Sequence, residues 1–236
     1  HPLPVPVVST QSVCQGSPTV YTAALSSIAT GSIVAYEWDF TDNGTVDTIT
    51  ALPGASIVYP DSGTYVCRLT TVSDKGCRTT TTVSTRVRPN PNASFSVDKP
   101  NACIGEIIQF QYTGIPLAGQ LLNWDFGGGS VVSSLGQTYN VTFPSFTDSV
   151  GKYTVRLTAV SEGCTTVVSR DIQIFRLPIV DAGPDVAICK GERIELVGSV
   201  LNESGGVCQY LWVPLNASLG TIVAGQTSLT VQVAPE

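Results

Sequence analysis

The chain has 236 residues, of which only 13% are charged, with a net charge of −6, one histidine and no methionine. That balance leaves no basic stripe for nucleic acid, and no apolar run reaches the 18 or so residues that a membrane span needs. His1 is the sole imidazole, so Ser–His and Cys–His catalysis have no base, and the composition points away from an enzyme.

Read in chain order, one text recurs. It opens with Val13-Cys14-Gln15-Gly16, passes Trp38, and closes on a tyrosine strand from Tyr65 that ends at Gly76-Cys77. It returns as Cys103-Ile104-Gly105, Trp124 and Tyr153 to Gly163-Cys164, and begins again at Cys189-Lys190-Gly191 with Trp212. Self-similarity at a fixed period marks an array of one structural unit. The spacing predicts units over 1–88, 89–176 and 177–236. In the third, the counterpart of the tyrosine strand is missing and its closing cysteine would fall near position 252, so the chain reads as part of something longer. Each unit starts with a proline-bearing connector (Pro2 to Pro6, Pro89 and Pro91, Pro178), expected to act as a stiff, extended spacer.

Within the units the apolar period is two. Tyr36, Trp38 and Phe40 alternate with Glu37 and Asp39, and Leu122, Trp124 and Phe126 with Asn123 and Asp125. Tyr65, Cys67 and Leu69 alternate in the same way, as do Tyr153, Val155 and Leu157. Ile107 to Phe110 and Ile194 to Leu196 predict an earlier strand after each cysteine turn. Such alternation means half-buried strands, and turn residues such as Asp42-Asn43-Gly44 and Gly127-Gly128-Gly129 cut them short. Several short strands in about 87 residues predict an all-β fold of tandem sandwiches, the third incomplete. Trp38, Trp124 and Trp212 are the expected core anchors rather than exposed sugar platforms.

Seven cysteines bear on the compartment. Cys14 with Cys77 and Cys103 with Cys164 repeat at nearly equal spacing, which predicts one disulfide per unit and an oxidising, extracellular or cell-surface location. Cys189 is left with Cys208 as its fallback. Zinc is disfavoured because no Cys-x-x-Cys occurs and histidine is absent beyond position 1. Cys67 lies in strand register and reads as a buried free thiol.

Trp38-Asp39-Phe40 before Asp42-Asn43-Gly44, and Trp124-Asp125-Phe126-Gly127, resemble the Trp-Asp-Phe-Gly-Asp-Gly signature of PKD (polycystic kidney disease) domains. Gly63-Thr64-Tyr65-Val66-Cys67-Arg68-Leu69 and Gly151-Lys152-Tyr153-Thr154-Val155-Arg156-Leu157 are similar to that family's tyrosine strand. The third unit departs, with Tyr210-Leu211-Trp212-Val213-Pro214 in place of the Asp-Phe pair. Its opening from Asp181 to Gly191 resembles repeats of large cell-surface adhesins of gliding bacteria. The resemblance implies Ig-like sandwiches.

Three candidate sites follow. Asp39, Asp42, Asn43 and Asp47 gather oxygen ligands that could suit calcium, although a metal-free Asx turn is the simpler reading and no cofactor is expected. Thr48 and Ser149 follow an aspartate and precede an apolar residue, a pattern that resembles the O-glycosylation sequon of some gliding bacteria. The expected function is a non-catalytic adhesive stalk or fibre segment. Its partners would be other copies or domains of the same surface protein and extracellular glycans. The alternatives are an accessory module array of a secreted hydrolase, or a filament subunit completed by strand donation from a neighbour.

Overall fold

The computed structural model describes residues 1–144, 150–201, 209–215 and 221–234. Every regular element among them is a strand. The first repeat holds β1 (Ser9–Thr10), β2 (Val13–Cys14), β3 (Pro18–Thr22), β4 (Ile33–Asp39), β5 (Thr48–Thr50), β6 (Gly54–Val58), β7 (Gly63–Ser73) and β8 (Arg78–Arg88). They form two sheets, β1-β3-β6 and β2-β8-β7-β4-β5. β4, β7 and β8 pair antiparallel, with Trp38 opposite Leu69 and Cys67 opposite Val83. β2 alone runs parallel to its neighbour, placing Val13 beside Val87 and Cys14 beside Arg88.

The alternating residues meet between these sheets, as the period of two requires. Tyr21, Trp38, Phe40, Tyr59, Cys67, Leu69 and Val87 form one buried cluster. Trp38 stacks with Phe40, their ring centroids 6.5 Å apart, and its Nε1 donates to Thr50 Oγ1 at 3.0 Å. Tyr21 and Tyr59 share a hydroxyl hydrogen bond of 2.9 Å, and the Tyr59 hydroxyl donates to the Phe40 carbonyl at 2.7 Å. Burial raises both phenols above their ordinary range. Two carboxylates are buried at the same strand and both are partnered, Glu37 by Arg78 and Asp39 by backbone N–H groups.

The second repeat contains β9 (Phe95–Val97), β10 (Asn101–Cys103), β11 (Ile108–Tyr112), β12 (Leu121–Asp125), β13 (Ser130–Leu135), β14 (Thr138–Thr142), β15 (Val150–Ser161) and β16 (Cys164–Phe175). Trp124 again stacks on the Phe two residues later, at 5.5 Å, and packs against Phe110 as Trp38 does against Tyr21. One strand changes sides. β5 joins the tryptophan sheet through β4, whereas β13 joins the opposite sheet, β13-β14-β11-β9. The glycine run explains the change. Gly127 and Gly128 take left-handed φ of 62° and 104°, which turns the chain away from β12. A Cβ on Gly129 would sit 2.7 Å from Val141 and 2.8 Å from Phe143, so only glycine lets the crossing strand lie that close.

The third repeat contributes β17 (Ile179–Asp181), β18 (Ile194–Val197), β19 (Ser199–Leu201), β20 (Thr221–Ala224) and β21 (Thr230–Ala234), in sheets β17-β19 and β18-β21-β20. Trp212 is half-buried and lies outside any strand, held by Nε1 donating to the Ser228 carbonyl at 2.8 Å. Val231 is the deeply buried apolar side chain of this repeat among the described residues.

Residues divide into two compact units. One comprises His1–Ala93, Gly114–Asn123 and Thr158–Val167; the other comprises Ser94–Thr113, Trp124–Leu157 and Val168–Glu236. The connector after the first repeat, expected to be a stiff, extended spacer, is packed in part against the first unit. Pro91 and Ala93 are buried in the first unit, Asn90 donates to the Gln15 carbonyl, and Gln120 donates to the Asn92 carbonyl.

Gly129→Ala should destabilise the chain by about 1–3 kcal/mol through overpacking alone, because its φ is not in the left-handed region. Urea unfolding monitored by circular dichroism measures this, with Gly63→Ala as a comparison, where φ is also outside the left-handed region and the added Cβ meets only the Tyr65 ring at an ordinary 3.7 Å.

Candidate functional site

The site with the most unusual chemistry is a disulfide. Cys14 and Cys164 are joined, with Cα atoms 5.7 Å apart and 150 positions between them in sequence. Cys14 ends β2, while Cys164 follows the tip of the β15–β16 hairpin. That tip is Glu162-Gly163, both left-handed at φ 48° and 80°, as a two-residue hairpin turn demands. Around the bond, Arg86 Nη2 reaches the Glu162 carboxylate at 2.9 Å. The Arg88 guanidinium donates to the Glu162 carbonyl and to the Ser12 carbonyl. The Arg86–Glu162 pair is half-exposed and contributes at most about 1 kcal/mol. Closing a 150-residue loop removes about 5 kcal/mol of unfolded-chain entropy on the chain-entropy model.

This corrects the pairing expected from spacing. Cys77 precedes the first residue of β8 and Cys14 lies beside its last, Arg88. Ten residues of strand at about 3.3 Å each put roughly 33 Å between them, far beyond disulfide reach. Cys103 and Cys164 are kept apart the same way by β16, since Cys103 pairs with Phe175. Cys77, Cys103 and Cys189 are free thiols, as is the buried Cys67, and Cys208 lies outside the described residues. Sequence reading found both cysteines of the bond but missed Arg86, Arg88 and Glu162. The signal available was the length of the Thr-rich run from Arg78 to Arg88, a strand too long for a bond around its ends.

Asp39 organises the turn after the core strand. Its oxygens accept from Thr41 N, Asn43 N and Gly44 N at 3.3, 3.1 and 2.8 Å. Asp47 accepts from Phe40 N at 2.7 Å, and Asp42, left-handed at φ 53°, pairs with Arg68. These carboxylates thus accept from backbone N–H groups and from one guanidinium, as an Asx turn does. Among the described residues no group of three or more His, Cys, Asp or Glu is arranged to hold a metal. Asp125 and Asp181 repeat the arrangement on a smaller scale, each accepting from the glycine two residues on. Thr48 is half-buried in β5 opposite Trp38, and Ser149 lies outside the described residues. No helix among the described residues is long and apolar enough to cross a membrane.

Residues 1–88 match the PKD domain. Both the signature turn and the tyrosine strand of the first repeat fall inside that match. The PKD1 domain of Vibrio anguillarum Epp is 28% identical over 37% of this chain and 95% of that domain, with a TM-score of 0.31. The PKD1 domain of the Vibrio cholerae metalloprotease PrtV is 26% identical over 36% of this chain and 98% of that domain, with a TM-score of 0.30. The N-terminal eight Ig domains of Down syndrome cell adhesion molecule reach a TM-score of 0.51 at 15% identity, over 84% of this chain and 27% of that one. That last likeness shows the fold, an all-β array of Ig-like β-sandwiches, and the PKD match lies within this chain's first 88 residues. No curated protein matches the sequence.

Two outcomes test the site. Asp39→Ala, which strips acceptors from three backbone N–H groups, should cost about 2–3 kcal/mol in urea unfolding, and Asp39→Asn less. Burial pushes the Cys67 thiol up to about 12, with Asp39 and Asp47 adding to the shift. A raised thiol pKa leaves stability intact below the unfolded value near 9 and loses it as pH rises toward 12. The unfolding midpoint should therefore fall as pH rises from about 9 toward 12, and less steeply in Cys67→Val, which copies Val155; equal slopes in the two proteins would contradict this assignment.

Proposed function

We propose that the chain is a non-catalytic, load-bearing segment of an exported surface protein, in which successive PKD/Ig-like repeats are stapled to one another. The single observation behind this reading is the Cys14–Cys164 bond, which joins the opening of one repeat to the hairpin of the next. A bond across a repeat junction caps the length that the polypeptide can yield when pulled.

The remaining chemistry is consistent with that role. The aspartates that recur beside the tryptophans accept from turn backbone, the aromatics fill cores, and the one histidine is terminal. A disulfide persists in an oxidising compartment, which supports an extracellular setting. The low charge and the hydroxyl-rich β8, with Thr80, Thr82 and Ser84 exposed, suit lateral contact between copies.

Pulling single molecules from their ends provides the test. In the oxidised chain the 150 residues between the bonded cysteines stay out of the extension, so reduction should lengthen the fully unfolded chain by about 500 Å at roughly 3.4 Å per residue. Equal contour lengths before and after reduction would remove the basis for a mechanical role. Hydrolysis of polysaccharide or peptide substrates by the purified chain would replace it with an enzymatic one.

A further inference from the structure

The three opening cysteines occupy one local structure. The N–H of the residue three positions on donates back to the carbonyl of Cys14, Cys103 and Cys189 at 3.0, 3.1 and 3.1 Å. The glycine two positions on is left-handed in each case, with φ of 77°, 85° and 87° for Gly16, Gly105 and Gly191. All three cysteines therefore hold the first position of the same tight turn. For the first two, the likeness extends to the sheet. Cys14 lies beside Arg88 in a parallel pair and Gln15 N donates to the Arg88 carbonyl at 2.8 Å. Cys103 lies beside Phe175 in a parallel pair and Ile104 N donates to the Phe175 carbonyl at 2.9 Å.

The hairpin cysteines match in the same way. Cys77 and Cys164 each follow a left-handed glycine, Gly76 at 77° and Gly163 at 80°, at the tip between the two longest strands of the repeat. The first two repeats are thus polar. One pole carries an opening cysteine beside the end of the last strand, and the opposite pole carries a hairpin cysteine. Cys14 is half-buried and bonded; Cys103 stands in its position, half-buried and free. Cys164 is bonded; Cys77 stands in its position and is free.

We propose that Cys103 and Cys77 are the unfilled halves of the bond that Cys14 and Cys164 complete. Cys103 takes the hairpin cysteine of a PKD/Ig-like repeat that follows it, and Cys77 takes the opening cysteine of one that precedes it. Each such bond removes two protons and two electrons from a pair of thiols, and a low-molecular-weight disulfide accepts them and leaves as two thiols. The resulting staple runs along the array in a single direction. Arg86 and Arg88 have no equivalent in the second repeat, where Gln173 and Phe175 hold those positions. The covalent bond is the part of the junction that is repeated.

Thiol mapping tests this without reference to load. The full chain is oxidised in a glutathione buffer, alkylated, and digested for non-reducing mass spectrometry. It should show Cys14 linked to Cys164, with Cys77 and Cys103 alkylated. In full-length Cys164→Ser, Cys14 should become alkylated; a Cys14–Cys77 link there would overturn the proposal. A second variant replaces residues 177–236 with another copy of 89–176. Its added hairpin cysteine falls at position 252, 149 residues beyond Cys103 against the 150 that separate the observed pair. Cys103 should be found linked to it. A free Cys103 beside an intact Cys14–Cys164 bond, or a Cys103–Cys164 link, would overturn the assignment.

Discussion

The parallel pairing of β2 with the end of β8 governs most of what is distinctive here. β2 is only two residues long and pairs with the last two residues of β8, at the end of that strand opposite the hairpin that carries Cys77. That register places Cys14 beside Arg88, where the chain leaves for the next repeat. A disulfide that spacing assigns to the inside of a sandwich is thereby moved to its boundary. The energetic meaning changes with it, from reinforcing one core to restraining two neighbours.

Much of the fold was legible because apolar residues at period two have one interpretation when turn residues interrupt them so often. Tyr36-Glu37-Trp38-Asp39 and Tyr65-Val66-Cys67-Arg68-Leu69 became parts of β4 and β7, Cys67 and Leu69 buried and Arg68 exposed in β7 as the alternation predicts, while in β4 Glu37 and Asp39 are buried as well. Cys67 was legible as a buried thiol for the same reason. The disulfide partners were not, because pair spacing says nothing about strand direction. Two cysteines about 60 residues apart can be adjacent or at opposite poles, and only the 11-residue length of β8 decides between them. The Asx turn at Asp39 was legible in the spacing of Asp39, Asp42, Asn43 and Gly44, but composition does not say which backbone N–H groups its oxygens accept from.

The two complete repeats also show how one motif supports two edge arrangements. In the first, the Asp39–Asp47 turn holds the chain against β4, with Asp47 N donating to the Trp38 carbonyl. In the second, three glycines release it to the other sheet. β12 is left as the edge of its sheet, and its tryptophan loses the strand that would have supplied an acceptor. Trp124 Nε1 is buried with no partner among the described residues, where Trp38 has Thr50.

That difference makes the indoles optically distinct. Trp38 is fully sealed and hydrogen-bonded to a hydroxyl, Trp124 is partly sealed with an idle N–H, and Trp212 is partly open and bound to a carbonyl. Each repeat therefore contains its own chromophore in its own polarity. The ultraviolet emission of an unlabelled array can be resolved into its members, so melting of one repeat can be followed while its neighbours stay folded.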